Sequence, residues 1–171
     1  MQNVKAVLKR YRAELWQVLA IVLATLLSFL IASWLDLAEP FWSVITAAIV
    51  ARITARGAVR VAVYRLLGTL AGALFGLVLA FARSTGTPEP VLLVLLVAPL
   101  GLLGVLRPEL RAALIAGIIV FSAAAHLASP IAPALARIME VGLGAIIAAL
   151  VSIVLGMFFR PPEQKQSSKR K

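Results

Sequence analysis

Long apolar runs separated by short charged or Pro/Gly-rich punctuation dominate the chain. The first extends from Leu15 to Leu35 without a charge. As a helix rising ~1.5 Å per residue it reaches ~31 Å, the thickness of a ~30 Å hydrocarbon core. It exceeds the roughly 7–15 residues of a signal-peptide core, and Trp34-Leu35-Asp36 makes a poor cleavage site, so a retained membrane helix is expected. Pro40 is well placed to open a second helix, yet the uncharged run over 41–51 is only half as long as the first. Further runs cover 66–82, 91–106, 112 to about 127, and 138 or 141 to 159. The pattern predicts an all-α, polytopic membrane protein with six transmembrane helices. Its parts are a basic segment over 1–14, a membrane domain over 15–160 and a basic, disordered tail over 161–171.

Composition narrows the class. Hydrophobic residues make up 62% and charged residues 14%, against roughly 45–50% and about 25% in soluble domains. Too few polar side chains remain to coat such a chain in water. In a soluble protein the net charge of +10 would point to nucleic acid; here position explains it. With the N-terminus inside, six crossings put fifteen Lys and Arg on the inner side and two, Arg83 and Arg137, outside. That bias fixes membrane orientation, so both termini are expected in the cytoplasm and no nucleic acid is expected as a partner.

Missing residues remove most chemistry. Without cysteine there is no disulfide or thiolate site. Asp36 is the single aspartate and His126 the single histidine, too few for an aspartyl dyad or an H-E-x-x-H zinc site. No G-x-S-x-G elbow or phosphate-binding P-loop occurs. No catalytic residue, metal or cofactor is expected, which leaves transport or a structural role in the lipid bilayer.

Few features remain to carry function. The short second segment covers half the bilayer. Half-length helices in transporters mark binding sites, because their free backbone ends face a polar cavity. Snorkelling by Arg52 and Arg56 past a complete crossing gives the same pattern. Gly68, Gly72 and Gly76, evenly spaced at i, i+4 and i+8, leave one helix face bare for close packing. Arg65 is either a cytoplasmic anchor or the planar partner of a carboxylate substrate. Together with Arg52, Arg56 and Arg60 it would line a basic cytoplasmic mouth that concentrates anions. Trp42 can stack on an aromatic ligand. Arg137 and Glu140, i and i+3 at the start of the sixth helix, can pair. Glu140 is also the acid nearest an apolar helix, hence a candidate for proton coupling; an interfacial ion pair is the plainer role. Finally, Arg65…Gly72-Ala73 recurs further along the chain as Arg137…Gly144-Ala145, an offset of three helices that would make inverted halves.

The stretch P-F-W-S-V-I-T-A-A-I-V (40–50), the basic turn with Arg60, and R-L-L-G-T-L-A-G-A (65–73) resemble the six-helix block of the fusaric acid resistance / aromatic acid exporter family. R-I-M-E-V-G-L-G-A (137–145) is a looser match. The resemblance singles out Trp42, Arg65, Gly68, Thr69 and Gly72. It implies efflux of small organic anions, typically aromatic carboxylates, across the cell inner membrane, with proton coupling and a periplasmic membrane fusion protein as partner. On this reading Arg65, Trp42, Thr69 and Arg60 bind substrate, Glu140 couples the proton, and Gly68, Gly72 and Gly76 pack helices. Many family members carry two blocks, so a homodimer joined over that glycine face is expected of this one. The competing expectation is a non-transporting structural or regulatory membrane subunit of a larger complex.

Overall fold

A computed structural model describes residues 2–126 and 129–158, with side chains from Tyr11 onward. The expected end of the fifth helix at Leu127, the stop at Arg160 and the tail 161–171 lie outside the described residues. The elements are α1 (Gln2–Trp34), α2 (Phe41–Val50), α3 (Ala55–Ala82), α4 (Glu89–Leu106), α5 (Ala112–Ala123) and α6 (Ile131–Phe158). Single 3₁₀ turns at Arg83–Thr85 and Pro108–Leu110 complete them. Helices α1, α3, α4 and α6 are long and apolar enough to cross a membrane. The other two have 10 and 12 residues, only ~15 Å and ~18 Å of helix.

Four boundaries differ from the sequence expectation: α3 begins at Ala55 rather than at 66, α5 ends at Ala123 rather than near 127, and the starts of α1 and α6 shift as well. Helix α1 begins at Gln2, well before the apolar run opens. Helix α6 begins at Ile131 rather than at 138 or 141. Pro133 falls in its first turn, where the missing N–H would be unpaired in any case, so the helix runs through it. The shift matters, because it moves Arg137 and Glu140 from the helix start to a buried stretch inside it.

Side-chain and backbone contacts set the directions of the helices. The Gln17 carboxamide on α1 reaches the link after α2: it donates to the Ala51 carbonyl (2.9 Å) and accepts from the Ile53 N–H (3.0 Å). Further along α1, the Ser28 carbonyl accepts from the Ser43 hydroxyl near the start of α2 (3.4 Å). The two helices are therefore antiparallel. The Arg52 N–H donates to the Ser152 hydroxyl of α6 (3.1 Å), and Gly144 abuts Ser43, so α2 and α6 run the same way. The Gln17 region of α1 and the C-terminal part of α6 thus share one end of the bundle with the 51–54 link. Helices α3 and α5 form the second parallel pair. Gly68, Gly72 and Gly76 lie on Ala112, Ala113 and Gly117, and Arg83, just past α3, sits 3.9 Å over the Phe121 ring near the end of α5.

These pairings give the chain two halves of the same design. In each, a long helix, a short one and a long one follow in order. The short helix of each half packs parallel to the last helix of the other, and α3 and α6 run antiparallel. At equivalent places in the two halves, Gly72 meets the Ala113 carbonyl and Gly144 meets the Ser43 carbonyl. A Cβ at either glycine would collide with that backbone.

Small side chains fill the interior, among them Ala24, Ala47, Ala73, Ala113, Ala145 and Ala148, while Leu26, Leu30, Val78, Leu102 and Leu150 face outward. This is the arrangement of helices that associate by close backbone approach with apolar side chains turned to lipid. The glycine face expected to join two copies is taken up within the chain by α5.

Gly72→Ala should therefore cost about 1–3 kcal/mol of overpacking, read as a lower melting temperature in detergent by size exclusion after heating. Gly101→Ala meets open space and should leave that temperature unchanged or slightly raised. Equal melting of the two variants would contradict the close α3–α5 contact.

Candidate functional site

The break after α2 comes first, because half-helix ends are where a ligand is expected. Here the chain supplies the partners itself. Besides Gln17 and Ser152, the Arg52 guanidinium folds back to donate to the Ala51 carbonyl (3.0 Å), and the Thr54 hydroxyl caps α3 by accepting from the Gly57 N–H (3.3 Å). The break is sealed from two flanking helices.

Arg65 lies further up α3. Its Nε donates to the buried Thr46 hydroxyl of α2 at 3.4 Å. Its side chain borders a cavity of about 300 Å³ that Arg60, Tyr64, Glu109 and Arg111 also line. Arg60 sits 5.8 Å over the Tyr64 ring. Of the four arginines expected to form one mouth, only Arg60 and Arg65 share this cavity. Arg56 lines a separate groove with Met157, and Arg52 is bound to its own link. The departure follows from the helical turn: Arg52 lies in the link before α3, and Arg56, in the first turn of α3, borders the groove beside Ile153 and Met157 of α6. Arg111, from the turn before α5, replaces them.

Past Arg65 a second, much narrower cavity continues into the bundle. Trp42, Arg65, Thr69, Arg137 and Val141 line it together with the α5 residues between Ala112 and Ile119. Its free volume is about 10 Å³, room for roughly one water and too little for a carboxylate. Arg65 thus borders both spaces. Its counterpart in the second half, Arg137, stands on the antiparallel α6, and one turn further along each helix lie Thr69 and Val141. Each half contributes one arginine to the same cavity.

Arg137 was expected to be an interfacial partner of Glu140. Its side chain is only 6% exposed. Nη1 lies 3.1 Å from Glu140 Oε2, close but angled, an ion pair rather than an aligned hydrogen bond. Nη2 pairs with Glu39 Oε2 at 3.2 Å. The guanidinium lies 4.2 Å over the Trp42 ring, and Nε has no hydrogen-bond partner. Glu140, 1% exposed, uses its other oxygen to accept the Glu39 N–H at 2.8 Å. The Trp42 indole N–H donates a short hydrogen bond to Glu39 Oε2. A buried charge needs such partners, since leaving it unpaired costs several kcal/mol, of order 3–5.

The structure therefore brings Trp42, Arg65 and Thr69 to one cavity and places Arg60 on the neighbouring one that Arg65 also borders. Glu140 stands behind Arg137. Gly68, Gly72 and Gly76 lie on the α5-facing side of the same α3. The residue pattern does not single out Glu39, Thr46 or Arg111, and it gives Arg137 only as an ion-pair partner. For Arg137 a stronger signal was present, since it stands where Arg65 stands in the recurring motif; for Glu39, contact with α6 arises only in the fold. Among the described residues no group of His, Asp and Glu is placed to hold a metal ion.

A family model described as fusaric acid resistance protein-like matches residues 15–151. Comparison with curated proteins and with solved structures finds no match.

Glu140→Met should lower detergent stability by about 3–5 kcal/mol, since it leaves the buried Arg137 charge only the exposed Glu39 carboxylate and leaves the Glu39 N–H without its acceptor. Arg137→Met combined with Glu140→Met should recover at least half of that loss, because an apolar pair has nothing left to desolvate. Thermal melting of the three proteins tests this, and a double variant no more stable than the single would refute it.

Proposed function

The chain belongs to the fusaric acid resistance protein-like family, and on that premise we propose that it moves small organic anions, aromatic carboxylates first among them, out of the cytoplasm. One observation carries the reading: two arginines, one from each half, line a single narrow cavity along with Trp42 and Thr69. Arg60, Arg65 and Arg111 form the basic mouth that draws anions in. Arg65 takes the carboxylate through its planar fork. Once the narrow cavity widens to admit the cargo, the Thr69 hydroxyl, one turn along α3, offers a further hydrogen bond, and the Trp42 ring an apolar surface for the rest of it. Glu140 supplies the coupling proton: its protonation removes one of the two negative partners of Arg137 and frees that arginine for the passing anion.

The location proposed is the cell inner membrane with both termini in the cytoplasm. Two observations support it, the fifteen-to-two division of basic residues and the shared end of α1 and α6. Helices α2 and α5 complete six passes inside the protein, where short helices are tolerated because neighbours satisfy their ends. A homodimer, where it forms, uses a face other than that of Gly68, Gly72 and Gly76, and a periplasmic fusion protein would receive the cargo.

In proteoliposomes loaded with 4-hydroxybenzoate, Arg65→Ala should reduce efflux about 10- to 100-fold, the worth of a charged hydrogen-bonded contact. Arg56→Ala, on the separate groove, should leave it unchanged. Unaltered flux and apparent affinity in Arg65→Ala would make Arg65 an anchor and move the site elsewhere. No flux in the unmodified protein would favour the non-transporting subunit.

A further inference from the structure

Arg137 holds two carboxylates that are unlike each other. Glu140 comes from the same helix and is buried. Glu39 comes from the link between α1 and α2, and its side chain is 61% exposed. That link has no regular structure from Leu37 to Glu39, and it opens at Asp36, a non-glycine residue with φ of 52°. The Glu39 side chain can leave Arg137 by rotating into the space it already borders, whereas Glu140 is enclosed on every side.

The position that Glu39 occupies is a carboxylate site already built. Its Oε2 accepts both from the Arg137 guanidinium and from the Trp42 indole N–H. On the same guanidinium Nε is buried without a hydrogen-bond partner, and Arg137 lines the narrow cavity. An anion arriving from Arg65 therefore finds on Arg137 one unsatisfied donor, Nε, and one that Glu39 occupies, Nη2. The opposite end has no such occupant: among the described residues Arg65 makes no ion pair and has only the Thr46 hydroxyl.

We infer that Glu39 is a tethered carboxylate latch on the outer end of the path, which a carboxylate cargo displaces from Arg137 and Trp42 in order to pass. The inference rests on the transport reading above and adds to it the residue that closes the far end. Glu39 competes with cargo for the same donors, so it weakens binding by the fraction of time it occupies them. An ion pair with one exposed partner is weak enough to be exchanged, and exposed side chains change rotamer within nanoseconds. When Glu39 swings back it evicts the anion, which keeps binding from becoming a trap.

The test uses the full chain in proteoliposomes with 4-hydroxybenzoate as probe. Glu39→Gln keeps the size and removes the charge; apparent affinity should tighten about tenfold while net efflux slows. The chain has no cysteine, so Glu39→Cys places one unique thiol. Coupling it to a sulfonate-bearing methanethiosulfonate should restore the original affinity, and coupling to a trimethylammonium reagent should not. Unchanged affinity in both variants, with Arg65→Ala still reducing flux, would overturn the latch and leave the transport reading standing. Weakened affinity in both, unrestored by the sulfonate, would make Glu39 a structural support for Arg137 and also overturn it. No binding or flux in the unmodified protein would overturn both readings.

Discussion

In hydrocarbon no water completes a broken hydrogen bond, so every departure from regular helix must bring its own partners. The break after α2 does so with side chains from distant helices, and a buried charge inside a regular helix needs partners in the same way. The 51–54 link is completed by Gln17 from α1 and Ser152 from α6. The Arg137 charge is completed by Glu140 on its own helix and by Glu39 from the link before α2. These long-range bonds tie α1, α2 and α6 into one unit, and the glycine contacts tie α3 to α5. Two short helices can therefore sit within a bundle whose other members are of bilayer length.

The two units explain where the cavity falls. Helices α3 and α6 run antiparallel and each carries an arginine in its first half, so Arg65 and Arg137 approach the space between them from opposite ends. The halves are not identical there. Thr69 on α3 answers to Val141 on α6, and no residue in the second half matches Trp42 in both ring and indole N–H. The polar and aromatic lining is thus supplied mostly by the first half.

Much of this is legible in the residue pattern and some is not. The uncharged run over 15–35 marks the apolar part of α1, and the short second run marks α2 almost to the residue. The even glycine spacing indicates close packing, but spacing alone does not say against which helix, and the partner is α5 of the same chain. The end of α5 is illegible, because Ala124 and Ala125 are as apolar as the helix before them. The start of α6 is misplaced because Arg137 and Glu140 bound the uncharged run, although the helix extends ahead of them and a first-turn Pro133 is no obstacle to it. At the site, Arg65, Trp42 and Thr69 stand out as motif positions. Glu39 is hidden, since a glutamate before Pro40 looks like an ordinary turn acid until α6 is folded against it.

Helix α1 runs unbroken from Gln2 to Trp34, ~50 Å of continuous rod. Gln17 pins it part-way along to the 51–54 link, and its far end leads directly into the segment that bears Glu39. Ala24 and Ser28 hold it against α2 and α6 beyond that point as well. The rod is therefore clamped over the stretch that leads to Glu39, and a change in its tilt would carry α2 and α6 with it.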